Sequence, residues 1–206
     1  MNKTIILDDK HLLAKGGERA CYINPNNPQQ IIKVIYTSSK THNNQNELEN
    51  IYMTYLMKKK VDMSHIAKCY GYINTNFGKG LVYERIMDFD GTATKSFRFY
   101  IANKLLSKQI QEQLIQELKT YLETNIILFV DTSLTNIFCQ QYEKNKFKLI
   151  IIDGLGAKRT GFKFWLYRNS KFYTKYKIKR QWDKFMKMYK ADVKRADEGK
   201  RPFTRL

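Results

Sequence analysis

Two aspartates and an asparagine lie close together in the second half of the chain, next to short apolar runs. Asp131 is followed five residues later by Asn136, and Asp153 is followed at once by Gly154. A carboxylate can orient a hydroxyl group and accept its proton, while carboxylate and amide oxygens are ligands that suit Mg²⁺. This combination is typical of sites that transfer a phosphoryl group from a magnesium-bound nucleotide.

The first half of the chain holds a lysine and two glutamates that fit the same chemistry. Lys33 lies within the apolar run Ile31–Ile35, and a lysine whose stem enters a sheet core needs an anionic partner. A nucleotide phosphate and a carboxylate of the following helix, Glu47 or Glu49, would provide that partner. The alternative is a lysine on an edge strand whose ammonium group reaches solvent.

A glycine pair and an arginine precede this lysine. Gly16 and Gly17 predict a tight turn, whose backbone amides either contact phosphate or only close a hairpin. Arg19 follows this turn and is a further candidate for phosphate binding. Both interpretations of the glycine pair stay open.

Hydrophobic periodicity predicts the elements that must position these residues. Short apolar runs, beginning at Ile5–Leu7, predict antiparallel strands in the first part of the chain, and a polar stretch over residues 37–45 leads into a helix over residues 47–60. A longer amphipathic helix is predicted over residues 105–123, and further helices are expected after Gly161. The short strands predicted between these helices span residues 126–130, 136–140 and 148–152.

The composition indicates one or two compact domains. The chain has 206 residues, of which 43% are hydrophobic, so disorder over its whole length is excluded. Cys21, Cys69 and Cys139 are odd in number and form no C-x-x-C pair, which argues against a disulfide framework or a zinc knuckle. We find neither a signal-peptide core at the N-terminus nor an apolar run of membrane-spanning length. We therefore expect a cytoplasmic protein with at most peripheral membrane contact.

The charge is concentrated in the last quarter of the sequence. The net charge is +18, and the segment from Ala157 onward holds 17 basic and 4 acidic residues, with Phe, Tyr and Trp between them. Three interpretations of this basic segment stay open: a solvated face of a helical lobe, a contact with an anionic membrane surface, or a nucleic-acid-binding face. No RNP, KH or zinc-knuckle pattern supports the third.

The order of these motifs resembles that of the protein-kinase-like superfamily, and more closely that of the YrbL family, the PhoP regulatory network proteins. The resemblance spans roughly Leu13 to Gly156 and, more loosely, the basic C-terminal segment. Its most similar segments are Gly16–Pro25 (GGERACYINP), Ile32–Tyr36 (IKVIY), Asp88–Gly91 (DFDG) and Asn136–Cys139 (NIFC).

The resemblance implies an α+β, protein-kinase-like bilobal fold that binds ATP and Mg²⁺. Residues 1–86 would form a strand-rich nucleotide-binding lobe, and residues 87–206 a small helical catalytic lobe that includes the basic C-terminal segment. Asp131 would be the catalytic base, and Asn136 and Asp153 the metal ligands. The nucleotide would be bound by Gly16, Gly17, Arg19, Lys33, Glu49 and Glu84.

Two of these nucleotide-binding assignments rest on position in the kinase layout. Glu84 ends the strand that would be the hinge. Glu49 is preferred to Glu47 as the partner of Lys33, because it is followed by apolar residues at the spacing usual for the kinase helix. Those apolar residues are Tyr52, Met53 and Leu56.

The sequence also departs from the kinase pattern. The glycines are adjacent instead of spaced as G-x-G-x-x-G, and Phe129 and Val130 stand where His and Arg usually precede the catalytic aspartate. Gly154 and Leu155 replace the usual Phe-Gly after the metal aspartate. Only 53 residues follow Asp153, without an Ala-Pro-Glu motif, so the usual peptide-docking helices cannot all be present.

These departures favour a small acceptor over a protein substrate. We expect phosphate transfer to a hydroxyl of a saccharide or glycolipid, such as a sugar of the lipopolysaccharide core, or to another small acceptor. The alternative is a pseudokinase-type regulatory or binding module, which uses its basic segment to hold anionic lipid, nucleic acid or a protein partner.

Overall fold

The computed structural model describes residues 4–36, 45–156 and 161–202. Most of the polar stretch predicted over residues 37–45 and the first four residues of the basic segment lie outside these ranges. The chain forms two compact units. The first consists of Met1–Lys60 and Ala67–Arg85, and the second of Val61–Ile66 and Ile86–Leu206.

The first unit is built on a five-stranded antiparallel sheet with the strand order β1-β2-β3-β5-β4. One helix, α1, spans Gln45–Lys58 and packs against β4 and β5. The five strands are β1 (Leu12–Lys15), β2 (Arg19–Ile23), β3 (Gln30–Ile35), β4 (Cys69–Thr75) and β5 (Gly78–Glu84).

Successive side chains of β3 point to opposite faces of the sheet, so an apolar cluster lies on one face and a charged side chain on the other. Ile32 and Val34 point to one face of the sheet, where they pack with Ile5, Leu7 and Val82. Lys33, between them, points to the other face and is also buried. Lys33 is paired with Cys21 on β2 and with Leu81 on β5, so it lies on an interior strand of the sheet.

The second unit is mostly helical, with one two-stranded antiparallel sheet made by β6 and β7. Its described residues form the helices α2 (Phe97–Ala102), α3 (Lys108–Asn125), α4 (Phe162–Asn169) and α5 (Lys171–Asp197) and the strands β6 (Ile137–Glu143) and β7 (Lys146–Ile151). Short 3₁₀ turns lie at Asp9–His11 in the first unit and at Leu134–Asn136 in the second.

Residues 61–66 leave the first unit and pack with the second. The Tyr121 hydroxyl donates to the Asp62 carbonyl at 2.5 Å, and His65 Nδ1 lies 2.8 Å from the Leu149 carbonyl. Nothing in the local sequence signals this excursion, because it depends on contacts with residues more than fifty positions away.

A buried ion pair joins α2 to α5. Arg98 Nε donates to Asp192 Oδ2 at 2.7 Å, and both side chains are only 5% exposed. A charge at such a site is tolerated only because its partner compensates it. The same helix α5 also carries an exposed pair, in which Asp197 lies 3.7 Å from Lys104.

The substitution Asp192→Asn is therefore expected to lower the free energy of unfolding by about 3 kcal/mol, since it leaves the Arg98 charge buried without a counter-charge. Chemical denaturation followed by circular dichroism would measure this. Asp197→Asn is the matched control on the same helix, and its effect should stay within about 0.5 kcal/mol because the Lys104 pair is solvated. Equal stabilities of the two variants would contradict the importance of the buried pair.

Three local predictions differ from the structure. Ile5–Leu7 forms only a single bridge, between Ile5 and Thr75. Residues 126–130 do not form a regular strand, because Ile126 caps α3 in the left-handed conformation (φ 54°) and only Phe129 makes a bridge, with Leu155. Helix α2 was not predicted, since its six residues are too few to establish a periodic pattern.

Within the described ranges, the helices are all too short or too polar to cross a lipid bilayer.

Candidate functional site

A cluster of buried charges lies between the sheet and the helix of the first unit. The Glu49 carboxylate on α1 is 2.8 Å from the Arg19 guanidinium on β2 and 3.7 Å from the Lys33 ammonium on β3. All three side chains are less than 10% exposed. Glu47, the alternative partner for the lysine, is exposed on the same helix.

Two further side chains hold this cluster in place. The Tyr83 hydroxyl donates to Glu49 Oε2 at 2.9 Å, and the Lys33 ammonium lies 4.4 Å from the centre of the Tyr83 ring. Asn46 accepts from Arg19 through its side-chain oxygen at 3.1 Å and donates to the Lys33 carbonyl at 3.0 Å.

Sequence reasoning missed Asn46 and Tyr83 as members of this cluster. Asn46 lies three residues before Glu49, a spacing that puts both on one face of a helix, and this signal was available. Tyr83 lies two residues beyond Leu81, the cross-strand partner of Lys33, so it is a diagonal neighbour on the same face of the sheet. That relation depends on strand register, which the sequence does not show.

Two of the three charged side chains in this cluster are cations. Arg19 and Lys33 supply two cations and Glu49 one carboxylate, so the three side chains have a formal charge of +1. Cys69 lies nearby, but burial raises the pKa of its thiol, so the thiol stays neutral and does not compensate that charge. An arginine and a lysine side by side are also the side chains that suit a phosphate best.

The glycine pair forms the turn between β1 and β2. The Gly16 amide donates to the Arg19 carbonyl at 2.9 Å, and the Tyr36 hydroxyl donates to the carbonyls of both glycines. Neither glycine has a positive φ, and a Cβ added at Gly17 would meet open space. The turn thus has no local steric need for glycine at position 17.

Glu84 lies at the end of β5, where its backbone amide donates to the Lys68 carbonyl at 2.8 Å. Its carboxylate accepts from the Lys68 amide at 3.2 Å. The side chain therefore ties β5 to the segment before β4. Its predicted contact with nucleotide stays a prediction.

In the second unit, the loop that begins at Asp131 is bound to the segment that follows β7. The carbonyl of Gly154 accepts from the amides of Val130 and Asp131 at 2.8 and 3.0 Å, and the Ile152 amide donates to the Asn136 carbonyl at 2.9 Å. The Asn136 side chain donates to the Asp131 carbonyl at 3.0 Å. These bonds bring Asp131, Asn136 and Gly154 together.

Asp131 and Asn136 lie very close to the backbone of Gly154. It has φ +83°, and a Cβ added to it would lie 2.7 Å from the Asp131 carbonyl oxygen and 3.2 Å from Asn136 Nδ2. Asp153 directly precedes it, and its Oδ1 accepts from the Gly154 amide at 2.7 Å. The two aspartates and the asparagine are thus gathered around one glycine that no larger residue can replace without strain.

The donor set at this point suits a hard cation. Asn136 uses Nδ2 for the Asp131 carbonyl, which leaves Oδ1 as its amide atom for a metal. Asp153 adds carboxylate oxygens, and Mg²⁺ is commonly held by one or two such side chains together with phosphate oxygens. Across the described ranges there is no group of three or more His, Cys, Asp or Glu residues that could hold a metal by itself. The oxygens of Asn136 and Asp153 fit a magnesium ion that nucleotide phosphates also bind.

The substitution Gly154→Ala is expected to destabilise the protein by about 1–3 kcal/mol, because the new methyl group meets backbone at a positive φ. It should also weaken any binding of Mg²⁺ and nucleotide, since Asp131 and Asn136 must shift. Denaturation curves and nucleotide titration would measure the two effects. Gly17→Ala is the control, with unchanged or slightly raised stability because its Cβ meets open space. Equal behaviour of the two variants would contradict the close approach at Gly154.

Comparison with known proteins identifies relatives over most of the chain. Residues 5–190 match the family described as PhoP regulatory network protein YrbL. Two proteins, each named "Uncharacterized protein YrbL", from Escherichia coli (strain K12) and Shigella flexneri, are 28% identical over 154 residues. These matches cover 74% of this chain and 73% of each relative, and they confirm the resemblance expected from the motifs.

A solved structure shows the fold. The crystal structure of the protein kinase Rad53 in complex with AMP-PNP matches 96% of this chain with a TM-score of 0.55 and 13% sequence identity. The match covers 53% of the Rad53 chain, so this chain spans about half of its length. The predicted α+β, protein-kinase-like fold, with a strand-rich N-terminal lobe and a helical C-terminal part, is confirmed.

Proposed function

The chain belongs to the family of PhoP regulatory network protein YrbL, and we propose on that premise, together with its kinase-like fold, that it is an ATP-dependent phosphotransferase. The acceptor in this proposal is a hydroxyl group of a saccharide or glycolipid, such as a sugar of the lipopolysaccharide core, or of another small molecule. ATP and Mg²⁺ are the proposed nucleotide and metal.

The observation that carries the proposal is the pairing of Lys33 with Glu49 at 3.7 Å. A lysine on the third strand that pairs with a glutamate of the following helix is the arrangement by which protein kinases hold nucleotide phosphates. The distance is that of an ion pair rather than of a short hydrogen bond, and Arg19 adds a second cation beside the same carboxylate. We assign Lys33 to the phosphates and Glu49 to the positioning of Lys33.

The second unit supplies the residues for the reaction itself. We assign the proton of the acceptor hydroxyl to the Asp131 carboxylate, which is exposed and therefore accessible to an acceptor. The hydroxyl oxygen then bonds to the γ-phosphorus, the bond from that phosphorus to the bridging oxygen breaks, and ADP leaves. Asn136 and Asp153 would hold the metal, which neutralises charge on the phosphates.

The preference for a small acceptor rests on the helices that the structure describes after Asp153. In the described residues after Gly156, the helices are α4 and α5, and the long helix α5 packs on α2, α3 and α4. Peptide substrates of protein kinases are held by additional helices, whereas the described residues after Asp153 form α4 and α5. A saccharide or glycolipid hydroxyl needs no such docking surface.

Incubation of the purified protein with Mg²⁺, γ-labelled ATP and a panel of acceptors would test the proposal. The panel should include free sugars, lipopolysaccharide-core glycolipids and a protein substrate such as casein. Label that moves to a sugar or glycolipid would support the proposal. Label that moves only to casein would contradict the acceptor class, and ATP that stays intact with every acceptor would contradict the enzymatic function.

One observation favours a second candidate, a pseudokinase-type binding module. Phe129 is buried and Val130 half-buried directly before Asp131, where active kinases carry His and Arg. A module of this kind would bind nucleotide without consuming it. The same labelled-ATP experiment separates the two candidates, because a module predicts bound ATP and no ADP.

A further inference from the structure

The helices at the start of the basic C-terminal segment carry large aromatic side chains that project into solvent. Four of them form what we call the exposed aromatic surface. Its members, with their exposed fractions, are Phe162 (73%) and Trp165 (56%) on α4, and Phe172 (87%) and Tyr176 (51%) on α5. The two phenylalanines are the most exposed and have no polar atom with which to contact water.

These side chains take no part in the packing of α5. Its buried residues recur every three or four positions and include Thr174 and Ile178. Phe172 and Tyr176 each lie two positions earlier, which is about 200° around the helix. They therefore point away from the core of the second unit. Phe162 and Trp165 stack on each other on α4, and α4 contacts α5. Exposed apolar groups on neighbouring helices are typical of an interaction site.

Positive charge surrounds the exposed aromatic surface. Residues 161–182 contain seven Lys and Arg and no Asp or Glu. Partial burial and the nearby cations Arg180, Lys184 and Lys163 lower the pKa of Lys177. Cations of both helices therefore lie close to one another here. Repulsion among these groups is relieved when anionic groups bind to them.

We propose that the exposed aromatic surface, with the lysines and arginines around it, binds the surface of a bilayer that contains anionic lipid. Trp and Tyr side chains settle at the level of the headgroups, Phe side chains enter the acyl boundary, and lysines attract anionic headgroups. The two helices provide all three kinds of group on exposed positions. This proposal does not depend on the phosphotransfer activity.

A nucleic acid would be attracted by the same charge, but the rings favour lipid. Bases stack on open aromatic faces, and Phe162 and Trp165 already stack on each other, with ring centres 5.8 Å apart and planes 12° apart. One face of each ring is therefore covered. Insertion at a bilayer interface needs only the apolar edge and surface that remain exposed.

Vesicle flotation with the full chain would test the proposal. One set of vesicles contains phosphatidylcholine alone, and the other contains about one third phosphatidylglycerol. The protein is expected to float with the second set and not with the first. The double variant F162S/F172S should bind at least about tenfold more weakly, because it loses the two inserting side chains. Circular dichroism should show that it remains folded, since both positions are exposed.

A pair of charge variants provides the matched control. K171Q/K175Q/K179Q removes three exposed lysines of α5 near the rings and should weaken binding on the order of 100-fold. K104Q/K108Q/K146Q removes the same charge from exposed lysines that lie beside Asp197, Glu112 and Glu143, and it should bind nearly as the wild type.

Three results would overturn the proposal. The first is equal flotation with both vesicle sets, and the second is wild-type binding by F162S/F172S. The third is tight binding of polyuridine by a protein that floats with neither vesicle set, which would assign the surface to a nucleic acid.

Discussion

Replacing Asp131 with Asn is expected to lower the rate of ATP-dependent phosphate transfer by about 10²–10⁴-fold, because an amide cannot accept the proton of the acceptor hydroxyl. The side chain is exposed, and the bond from the Asp131 amide to Gly154 involves only backbone atoms. The fold and the stabilisation by Mg²⁺ and ATP should therefore stay close to those of the wild type. Transfer of labelled phosphate to the acceptor identified by the panel would measure the rate.

The control for this prediction is Asp197→Asn, which removes an equally exposed carboxylate from the end of α5. Its transfer rate should equal that of the wild type. A rate for Asp131→Asn within a factor of two of the control would mean that Asp131 is not the base.

Replacing Glu49 with Gln is expected to lower the free energy of unfolding by about 3–5 kcal/mol, because two buried cations then lose the carboxylate that compensates them. The Tyr83 hydroxyl also loses a charged acceptor. Gln has nearly the same shape as Glu, so the loss of stability reports the missing charge rather than altered packing. Denaturation by urea, followed by circular dichroism, would measure it.

Glu47→Gln is the matched control, since Glu47 is exposed on the same helix, and its effect should stay within about 0.5 kcal/mol. The double variant R19Q/E49Q should be less destabilised than the two single variants together, because it removes a cation with its counter-charge. Additive losses, or equal stability of Glu49→Gln and Glu47→Gln, would contradict the charge cluster.

The fold was predicted from a resemblance to a known family, and the motifs that carry this resemblance rest on local patterns. Lys33 stands out as a lysine in an apolar run, and the helix that follows it has a clear apolar face. Asn136 and Gly154 lie beside the ends of the paired strands β6 and β7, both of which were predicted, whereas the strand predicted before Asp131 is absent from the described structure. Together with the quoted segments, these patterns were sufficient to identify the kinase-like fold and the family.

The environment of the charge cluster could not be read from the sequence in the same way. Arg19 was predicted to contact phosphate, and the structure adds its contacts with Glu49 and Asn46, which only the pairing of β2 with β3 and the packing of α1 reveal. Tyr83 joins the cluster through strand register. Likewise, the separation of exposed from buried aromatic residues in α4 and α5 required the helix boundaries, which a basic and aromatic sequence leaves indistinct.

Thermal unfolding with and without ATP and Mg²⁺ tests the central claim most directly, because it needs no knowledge of the acceptor. A ligand that binds only the native state at about one hundred times its Kd stabilises it by about 2.7 kcal/mol, or about 5–10 °C for a chain of this size. We expect such a rise with ATP and Mg²⁺ together, a smaller one with ATP alone, and no additional rise from Mg²⁺ in Asp153→Ala. An unchanged Tm in the wild type, or an equal rise in Asp153→Ala, would contradict the proposed magnesium-nucleotide site.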